Sequence, residues 1–379
     1  MQSQSMPRFA AALEESLRTA GHAVRRVSPQ PHFFRLFNSP SARKWASYID
    51  QYLIFPLVAK RMVKAAPINT VFVFCDQALG PWVPLAAGRP HVIHCHDLLA
   101  LRSALDLIPE NPTSRTGKIY QKYIRSGFQK GKRFIAISSK TKADLIKFGG
   151  IPSENISVVL NELNFPYSPF SKEQVDSVWQ QHQLPPAEDG LILHIGGGQW
   201  YKNRLGVVGV YKEYVKRTPH PLPLWLVGPK PTGPLAALID SIPPAGKVVH
   251  LQGVDNEVVQ ALYSKASVFL FPSLAEGFGW PIVEAQACGC PVITTCEPPM
   301  NEVGGEQTTY IPRLNDDFET WVQVGATELI RLLDLPVDQR SALVDRSKAW
   351  ARRFAPGTAF KAYLEIYEQT LKDFQTQKR

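Results

Sequence analysis

Two glutamates flank a glycine turn in the stretch "LAEGFGWPIVEA", and their spacing suits the binding of a sugar nucleotide. Glu276 lies directly before the turn, and Glu284 lies one turn inside a helix whose start Pro281 favours by presetting the backbone. One carboxylate can accept hydrogen bonds from both hydroxyls of a vicinal diol, such as that of a ribose or a sugar. The amides of Gly277 and Gly279, beside a helix N-terminus, suit a diphosphate. Two glutamates that are simply solvated at a loop are the alternative interpretation.

A second glycine-rich stretch, "LHIGGGQWYKNR", follows the first strand predicted in the second half of the chain. Gly196 to Gly198 let the backbone approach a ligand closely, and Lys202 offers a point charge for phosphate. Such a run is a weak signal by itself. It gains weight because both stretches follow strands, and open α/β sheets bind ligands at the carboxyl ends of their strands. We therefore expect Lys202 and the two glutamates to line one crevice.

The stretch "HVIHCHDLL" ends a predicted strand with His96 and Asp97. A histidine at this place can donate a proton to a substrate hydroxyl or accept one, and a purely structural histidine is the alternative. A metal site made by His94, Cys95, His96 and Asp97 is disfavoured, because successive strand residues point to opposite faces and at most two could share an ion. The chain contains no Asp-x-Asp triplet that would clamp a nucleotide-bound divalent ion, so we expect no metal site.

Short β-rich runs alternate with helix-like segments along the chain, which predicts parallel sheets flanked by helices. The length of 379 residues and the two sets of runs predict two α/β domains. A polar, Pro-rich stretch at 164–188 is the predicted hinge, and apolar residues at helical spacing in the tail predict a closing amphipathic helix. The runs are "HAVRRV", "TVFVFC", "HVIHCHD" and "RFIAIS" in the first half, and "GLILHIGGG", "LPLWLVG", "VVHLQG", "SVFLFPS" and "CPVITT" in the second.

The chain opens with a predicted helix that has Pro7 in its first turn and Gly21 at its end, and the run "HAVRRV" follows as a predicted strand. A doubly wound domain normally starts with a strand and a glycine turn before its first helix. We therefore expect the first sheet to lack its first strand, lost from the middle of the sheet.

The composition is that of a globular protein whose first half is basic. Residues 1–185 contain 23 Lys and Arg against 12 Asp and Glu, whereas residues 186–379 contain 19 against 21. The asymmetry favours an acidic partner, such as phospholipid headgroups, a phosphorylated acceptor or nucleic acid, although a merely solvated basic surface explains it equally well. No nucleic-acid reading motif occurs, so we expect no nucleic-acid partner.

The segment "ARKWASYIDQYLIFPLVAKRMVKAAP", residues 42–67, mixes aromatic residues with five Lys and Arg. It predicts either an apolar helical stripe buried in the core or a helix that contacts a membrane surface or an amphiphilic acceptor. No apolar run approaches the roughly 20 residues of a membrane span, and from the residues at the start we expect no secretory signal. The five cysteines lack CxxC spacing, which argues against a disulfide framework or a zinc ribbon. We expect a cytoplasmic protein, and leave open a peripheral contact of the basic first domain with the inner face of an anionic membrane.

These motifs together resemble the large retaining GT-B glycosyltransferase family known as family 4. The likeness spans nearly the whole chain, through "HD", "IAISSKTKADLIKFGGIPSENISVVLNELN", "GGGQWYKN" and "LQGVDNEVVQALYSKASVFLFPSLAEGFGWPIVEAQACGCPVI". It implies two Rossmann-like domains that face a central cleft. The implied parts are an acceptor-side domain at 1–170, a sugar-nucleotide-binding domain at 171–350 and, at 351–379, a C-terminal helix that crosses back to the first domain.

The resemblance also implies the substrates and the roles of residues. The donor is a nucleotide-diphosphate sugar, no resident cofactor is expected, and the acceptor is a hydroxyl of a carbohydrate, glycolipid or other molecule, as in polysaccharide assembly. Glu284 would bind the nucleotide ribose, Glu276 the donor sugar or its phosphates, and Lys202 the diphosphate. The residues implied in catalysis are Glu276, His96 and Lys202, and those implied in donor binding are Glu284, Gly277, Phe278, Gly279, Val254, Gly196, Gly197 and Asn203.

One departure from the family pattern concerns the phosphate site. The family usually has Arg directly after the glycine that corresponds to Gly196, whereas this chain has Gly197, and Arg204 is a candidate replacement at a different spacing. Two other interpretations stay open beside an active transferase. The missing first strand and the missing arginine would both be explained by a non-catalytic sugar-nucleotide-binding scaffold, and a GT-B epimerase or phosphorylase is the other alternative.

Overall fold

The computed structural model describes residues 5–377, which divide into two compact units. The first unit contains the chain up to Ile137, Thr141–Val159 and the residues from Ala359 on, and the second contains Ser138–Lys140 and Leu160–Thr358. The boundary predicted at residue 170 lies in the irregular stretch 159–171. No helix within 5–377 is long and apolar enough to span a bilayer, and each of the five cysteines is free.

The helices and strands follow one another in the alternating order that the sequence predicts. The helices are α1 (Ser5–Thr19), α2 (Pro40–Ile49), α3 (Phe55–Ala65), α4 (Leu99–Ala104), α5 (Arg115–Phe128), α6 (Ser139–Asp144), α7 (Lys172–Gln181), α8 (Arg204–Arg217), α9 (Pro234–Asp240), α10 (Asn256–Lys265), α11 (Trp280–Ala287), α12 (Met300–Gly304), α13 (Phe318–Leu333), α14 (Val337–Ala351) and α15 (Thr358–Thr376). The strands are β1 (Phe72–Phe74), β2 (His91–Cys95), β3 (Phe134–Ala136), β4 (Ile156–Val158), β5 (Ile192–Ile195), β6 (Leu224–Val227), β7 (Val248–Leu251), β8 (Val268–Phe271), β9 (Val292–Thr295) and β10 (Thr309–Ile311).

The first unit is built on a four-stranded parallel sheet in the order β1-β2-β3-β4. Consecutive strands pair directly, and β1 lies at one edge of the sheet. Within the described residues, α1 does precede every strand, as predicted. The tail helix α15 packs on the sheet through the buried Tyr363 and Tyr367, which confirms the predicted amphipathic helix.

The strand predicted at "HAVRRV" does not form, and residues 22–31 contain neither helix nor strand. Side chains at both alternate sets of positions in this segment are exposed, so it has no buried face, and even Val27 is 44% exposed. A single extended segment satisfies its backbone hydrogen bonds only when a neighbouring strand is available. In the described residues β1 pairs with β2 alone, and nothing pairs with residues 22–31.

The second unit is built on a six-stranded parallel sheet in the order β10-β9-β8-β5-β6-β7. Helices cover both faces, which is why its strands read as continuous apolar runs such as "VFLF" in β8. Its first strand, β5, lies between β6 and β8, so the chain leaves β5 on one side and returns on the other. The loops after β5 and β8 therefore flank the point where the strand order reverses, which is where open sheets bind ligands.

The loops after β5 and β8 are joined by two hydrogen bonds. The Leu274 amide donates to the Tyr201 carbonyl at 2.8 Å, and the Asn203 Nδ2 donates to the Pro272 carbonyl at 3.0 Å. Asn203 also begins α8, because its Oδ1 accepts from the Gly206 amide at 3.2 Å. Its backbone is left-handed, at φ 50° and ψ 42°, a conformation that Asn and Gly tolerate best.

We expect Asn203→Ala to destabilise the second unit by about 2–3 kcal/mol, because it removes the helix cap, leaves the Pro272 carbonyl unpaired and places Ala in a left-handed backbone. Asn203→Gly keeps the backbone conformation and should cost about 1 kcal/mol less. Urea denaturation of wild type and the two variants measures both differences. Equal stability of the Ala and Gly variants would contradict the backbone argument.

Candidate functional site

An ion pair between Lys202 and Glu276 joins the loops that follow β5 and β8. The Lys202 Nζ lies 2.7 Å from the Glu276 Oε1, and the two side chains are only 15% and 9% exposed. The Ser273 hydroxyl donates to the same oxygen at 2.7 Å. The Lys202 ammonium also lies 4.8 Å from the ring centroid of Phe271 and 5.4 Å from that of Tyr201. The predicted phosphate cation and the first glutamate are thus brought together.

The second glutamate, Glu284, lies on α11 beside this pair. Its Oε2 accepts a hydrogen bond from the Tyr263 hydroxyl at 3.1 Å. Burial raises the pKa of Glu284 to about 7, although the Tyr263 hydrogen bond and the charge of Lys202 both act to lower it. The carboxyl group is therefore poised between its acid and its anion near neutral pH, and a hydroxyl donor placed beside it would favour the anion.

The glycine turn before α11 has the backbone that the sequence predicts. Gly279 precedes the helix with φ 99°, which a residue with a side chain rarely adopts, and Pro281 lies in the first helical turn. Phe278 is buried and packs edge-on against Trp280 and Phe354 at 5.5 and 5.9 Å between ring centroids. The Phe278 side chain therefore anchors the turn, and only its backbone remains for a ligand.

The glycine run after β5 packs against the loop that follows β6. A Cβ at Gly228, where φ is 148°, would lie 2.1 Å from the Gly196 carbonyl oxygen, so only glycine fits this approach. Gly196 is buried, Gly197 is partly buried and Gly198 is exposed. The run therefore begins in the interior and ends at the surface.

Arg204, the first residue of α8, is buried against the β6 loop. Its Nη1 donates to the Pro229 carbonyl at 2.8 Å, while its Nε and Nη2 have no hydrogen-bond partner. Burial lowers the pKa of Arg204. The nearby His194 is fully buried, which lowers its pKa to about 3, and the charges of Arg204 and Lys202 act in the same direction. A second cation thus accompanies Lys202, and no carboxylate among residues 5–377 forms an ion pair with it.

The structure places the remaining predicted donor-binding residues on the same unit with different exposure. Asn203 is 6% exposed and holds the two loops together, so its contacts are structural. Val254 is partly buried between Gly253 and Asp255, and the Asp255 side chain caps α10 by accepting from the Val258 amide at 2.9 Å.

His96 lies in the first unit, just after β2. It is 7% exposed, and its ring meets that of Phe9 edge-on at 4.7 Å between centroids. The His96 Nε2 lies 3.0 Å from the Cys75 carbonyl, which makes this nitrogen the protonated donor and Nδ1 the acceptor. Burial lowers the pKa of His96 to about 4, so the ring is neutral at pH 7. A carboxyl group that the sequence did not single out, Asp76, has its pKa raised to about 6, mainly by burial.

Three residues that complete the arrangement in the second unit were not predicted: Ser273, Tyr263 and His194. Ser273 lies three positions before Glu276, and that spacing was available in the sequence as a signal. Tyr263 reaches Glu284 across 21 positions, and the His194 Nδ1 donates to the Leu270 carbonyl at 2.9 Å across 76 positions. No local spacing reports such contacts. Among residues 5–377, no three His, Cys, Asp or Glu side chains cluster as metal ligands would.

Comparison with known proteins places both halves of the chain beside glycosyltransferases. Residues 176–311 match the family model described as glycosyl transferases group 1, and residues 6–163 match that of Glycosyltransferase Family 4. A curated relative, O-antigen chain mannosyltransferase B of Escherichia coli, is 28% identical over 200 residues, which are 52% of this chain and 52% of that protein. The chain thus spans about half the length of this relative.

Solved structures resemble this fold over almost the whole chain. Sucrose-phosphate synthase of Thermosynechococcus elongatus covers 98% of this chain, with 94% of its own chain matched, a TM-score of 0.71 and 18% identity. Anabaena HepE in complex with UDP and glucose covers 93% of this chain, with 88% of its own chain matched, a TM-score of 0.64 and 19% identity. At these identities the likeness shows the fold alone.

The pKa of Glu284 predicts a pH dependence of stability. The folded state keeps the proton up to about pH 7, whereas an unfolded glutamate releases it near its ordinary value of 4.5, so Glu284 stabilises the fold less as the pH rises between these values. Relative to wild type, Glu284→Gln should therefore gain stability from pH 5 to pH 8, by about 1–2 kcal/mol. Urea denaturation at both pH values measures this gain. The exposed Glu257→Gln is the control, and the same change in both variants would refute the assignment.

Proposed function

Because this chain belongs to the family 4 glycosyltransferases (glycosyl transferases group 1) and has the GT-B fold, we propose that it transfers a sugar from a nucleotide-diphosphate sugar to an acceptor hydroxyl with retention of anomeric configuration. The observation that carries this proposal is the arrangement of Lys202, Glu276 and Glu284 around the reversal of strand order between β5 and β8. The same place binds dinucleotides in other open sheets.

Each of the three side chains fits one part of such a donor. The Glu284 carboxylate accepts hydrogen bonds from the ribose diol, and ribose binding favours its anion over its acid. Lys202 has three N–H donors, of which one points to Glu276, so the others remain for phosphate oxygens. Glu276 then holds the ammonium in place and contacts the sugar or its phosphates. The start of α11 adds backbone amides that lack partners within the helix.

The proposed reaction is a front-face substitution at the anomeric carbon. The acceptor oxygen forms a bond to this carbon on the side where the bond to the diphosphate oxygen breaks, and the departing diphosphate takes the hydroxyl proton. Negative charge accumulates on the diphosphate in the transition state, so cations and amides fixed beside it lower the barrier. Lys202 therefore contributes to the rate as well as to binding. His96, neutral at pH 7, acts as a hydrogen-bonding group for the transferred sugar rather than as a cation.

Arg204 supplies the positive charge that the family usually has at the position of Gly197. Its guanidinium is buried beside the β6 loop, which itself contacts the glycine run, and two of its nitrogens have no partner. An uncompensated buried charge is unfavourable until an anion approaches it. A diphosphate bound at the glycine run supplies that anion, so Arg204 strengthens binding through the field that it exerts there.

The names of similar proteins narrow the substrates that we propose. The relative of Escherichia coli is an O-antigen chain mannosyltransferase, which supports a hexose as the transferred group and a growing polysaccharide or glycolipid as the acceptor. HepE was solved with UDP, which supports a nucleoside diphosphate as the leaving group. A non-catalytic scaffold would share the donor site, and it is distinguished by nucleotide binding without release of nucleoside diphosphate from any donor sugar.

The donor site predicts a selective response to nucleotides in thermal unfolding. Among UDP, GDP, ADP, CMP and dTDP, one should stabilise the wild type by about 2.7 kcal/mol when present at 100 times its dissociation constant. Glu284→Ala should abolish this shift because the ribose loses its acceptor, while the exposed Glu257→Ala should keep it. No shift with any nucleotide, or an equal shift in Glu284→Ala, would overturn the assigned site.

The buried guanidinium predicts opposite effects on stability and on binding. Arg204→Met should melt at a higher temperature than wild type without ligand, since the variant buries no uncompensated charge. It should bind the preferred nucleoside diphosphate about 10-fold more weakly, and the monophosphate of the same base almost unchanged, because the charge acts on the diphosphate. Lys230→Met, next to Pro229, is the exposed control. Calorimetry that shows equal diphosphate affinity for Arg204→Met and wild type would exclude the role.

A further inference from the structure

The first unit exposes a continuous face of large apolar and aromatic side chains. Trp45, Leu53 and Leu57 are 66%, 63% and 63% exposed on the helical segment 40–65, and Ile119 is 69% exposed on α5. The segment contributes little to the core, because only Ala46, Asp50, Phe55 and Ala59 in it are buried. Of the two interpretations of the basic aromatic segment, the buried stripe is therefore wrong for most of its apolar residues. We call the exposed residues of 40–65 and 115–128 the aromatic-basic face.

Ring contacts join the two helical parts of this face into one surface. Trp45 lies 5.8 Å from Tyr48, and Tyr48 lies 6.1 Å from Tyr52, measured between ring centroids. Tyr52 in turn lies 6.5 Å from Tyr120 and 6.1 Å from Tyr123 on α5, and the hydroxyls of Tyr52 and Tyr120 are 2.7 Å apart. The rings therefore form an unbroken surface that combines an apolar body with hydroxyl groups at its edge.

A π-helical turn at Asp50–Ile54 aligns the apolar residues on the two sides of it. An α-helix turns about 100° per residue, so the twelve positions from Trp45 to Leu57 would place these side chains about 120° apart. The turn accommodates one extra residue, which reduces the angle to about 20°. The buried carboxylate of Asp50 fixes the segment, because its two oxygens accept from the amides of Phe33 and Phe34 at 2.9 Å each.

The exposed charged residues on the two helical parts of the aromatic-basic face are all positive. Segment 40–65 contains five Lys and Arg, and its one acid, Asp50, is buried and bonded to backbone amides. The helix α5 contains four Lys and Arg and no acid, and Lys118 among them pairs with Asp106 at 2.6 Å. An apolar centre within a positive border matches a surface that is apolar inside and negatively charged at its boundary.

We propose that the aromatic-basic face docks this protein on the surface of an anionic phospholipid bilayer. The aromatic rings and Leu53, Leu57 and Ile119 insert at the level of the headgroups and upper acyl chains, and the surrounding Lys and Arg contact lipid phosphates. The aliphatic side chains favour a bilayer over nucleic acid, which binds through stacking on aromatic rings and has no place for them. This inference concerns the first unit and is independent of the nucleotide site.

Vesicle flotation tests the proposal with the complete chain. Vesicles of phosphatidylcholine with 30% phosphatidylglycerol should bind the wild type, and vesicles of phosphatidylcholine alone should bind it at least about 10-fold more weakly. Trp45→Ala combined with Leu57→Ser should reduce binding to the anionic vesicles about 10-fold or more, because apolar area is lost. Lys60→Glu combined with Lys64→Glu should reduce it about 25-fold or more and weaken its salt dependence.

Matched controls come from the second unit. Val337→Ser, at an apolar residue that is 86% exposed, and the exposed Lys230→Glu should bind vesicles as the wild type does. The variants of the aromatic-basic face alter exposed side chains, so unchanged melting temperatures and unchanged nucleotide shifts confirm intact folding. Equal binding to neutral and anionic vesicles, or no loss in the face variants, would refute the proposal. If sedimentation shows a concentration-dependent dimer and Trp45→Ala abolishes it, the partner of this face is a second copy of the chain and not a bilayer.

Discussion

The pairing of β5 with β8 is the constraint on which the candidate site depends. The paired residues Ile192 and Val268 are 76 positions apart in sequence, yet the two strands lie side by side and run parallel. Their carboxyl ends therefore meet, and the glycine run and the acidic turn emerge next to each other. Two glycine-containing loops are then held against one another by the Lys202–Glu276 ion pair, by the hydrogen bond that the Leu274 amide donates and by the Asn203 side chain. Without this pairing, none of the chemistry-bearing side chains would share a site.

The electrostatics of the second unit support the proposed binding of an anion that carries hydroxyl groups. Lys202 is held by a carboxylate, Arg204 is buried without one, and Glu284 keeps a raised pKa despite the nearby cation. A protein that used these groups only for stability would neutralise Arg204 and leave Glu284 in solvent, because uncompensated buried charge is unfavourable. The proposed donor would relieve this unfavourable arrangement, because it brings phosphate to the cations and hydroxyls to the carboxylate. Perturbed groups that cluster at a reversal of strand order are typical of binding sites.

The sequence predicted the elements that depend on local pattern and missed those that depend on distant partners. Apolar runs located β5 to β9, because a strand buried on both faces is apolar at every position. Glycine and proline located the turn before α11, because these residues restrict or free the backbone at their own positions. The strand at residues 22–31 was predicted wrongly, since forming a strand requires a neighbour that periodicity cannot reveal. The strands β4 and β10 were not predicted, and each lies at the edge of its sheet. For the same reason, the sequence indicated the charged residues of the site but not Tyr263 or His194, whose contacts there join residues that are far apart in the sequence.

The basic aromatic segment shows how one local irregularity decides between burial and exposure. A regular helix over residues 40–65 would distribute Trp45 and Leu57 over different faces, and part of its apolar surface would have to be buried. The π-helical turn instead gathers the apolar side chains on one side, while Phe55 and Ala59 meet the core on another. Sequence periodicity calculated for an ideal α-helix does not include this shift, so it could not distinguish a core stripe from an exposed surface.

Much of the excess positive charge of the first half lies on the aromatic-basic face. The helices of this face contribute nine of the 23 Lys and Arg in residues 1–185. Charge that were merely solvated would be interspersed with acids, whereas here the one acid of these helices is withdrawn into the interior, which leaves a positive border around an apolar centre.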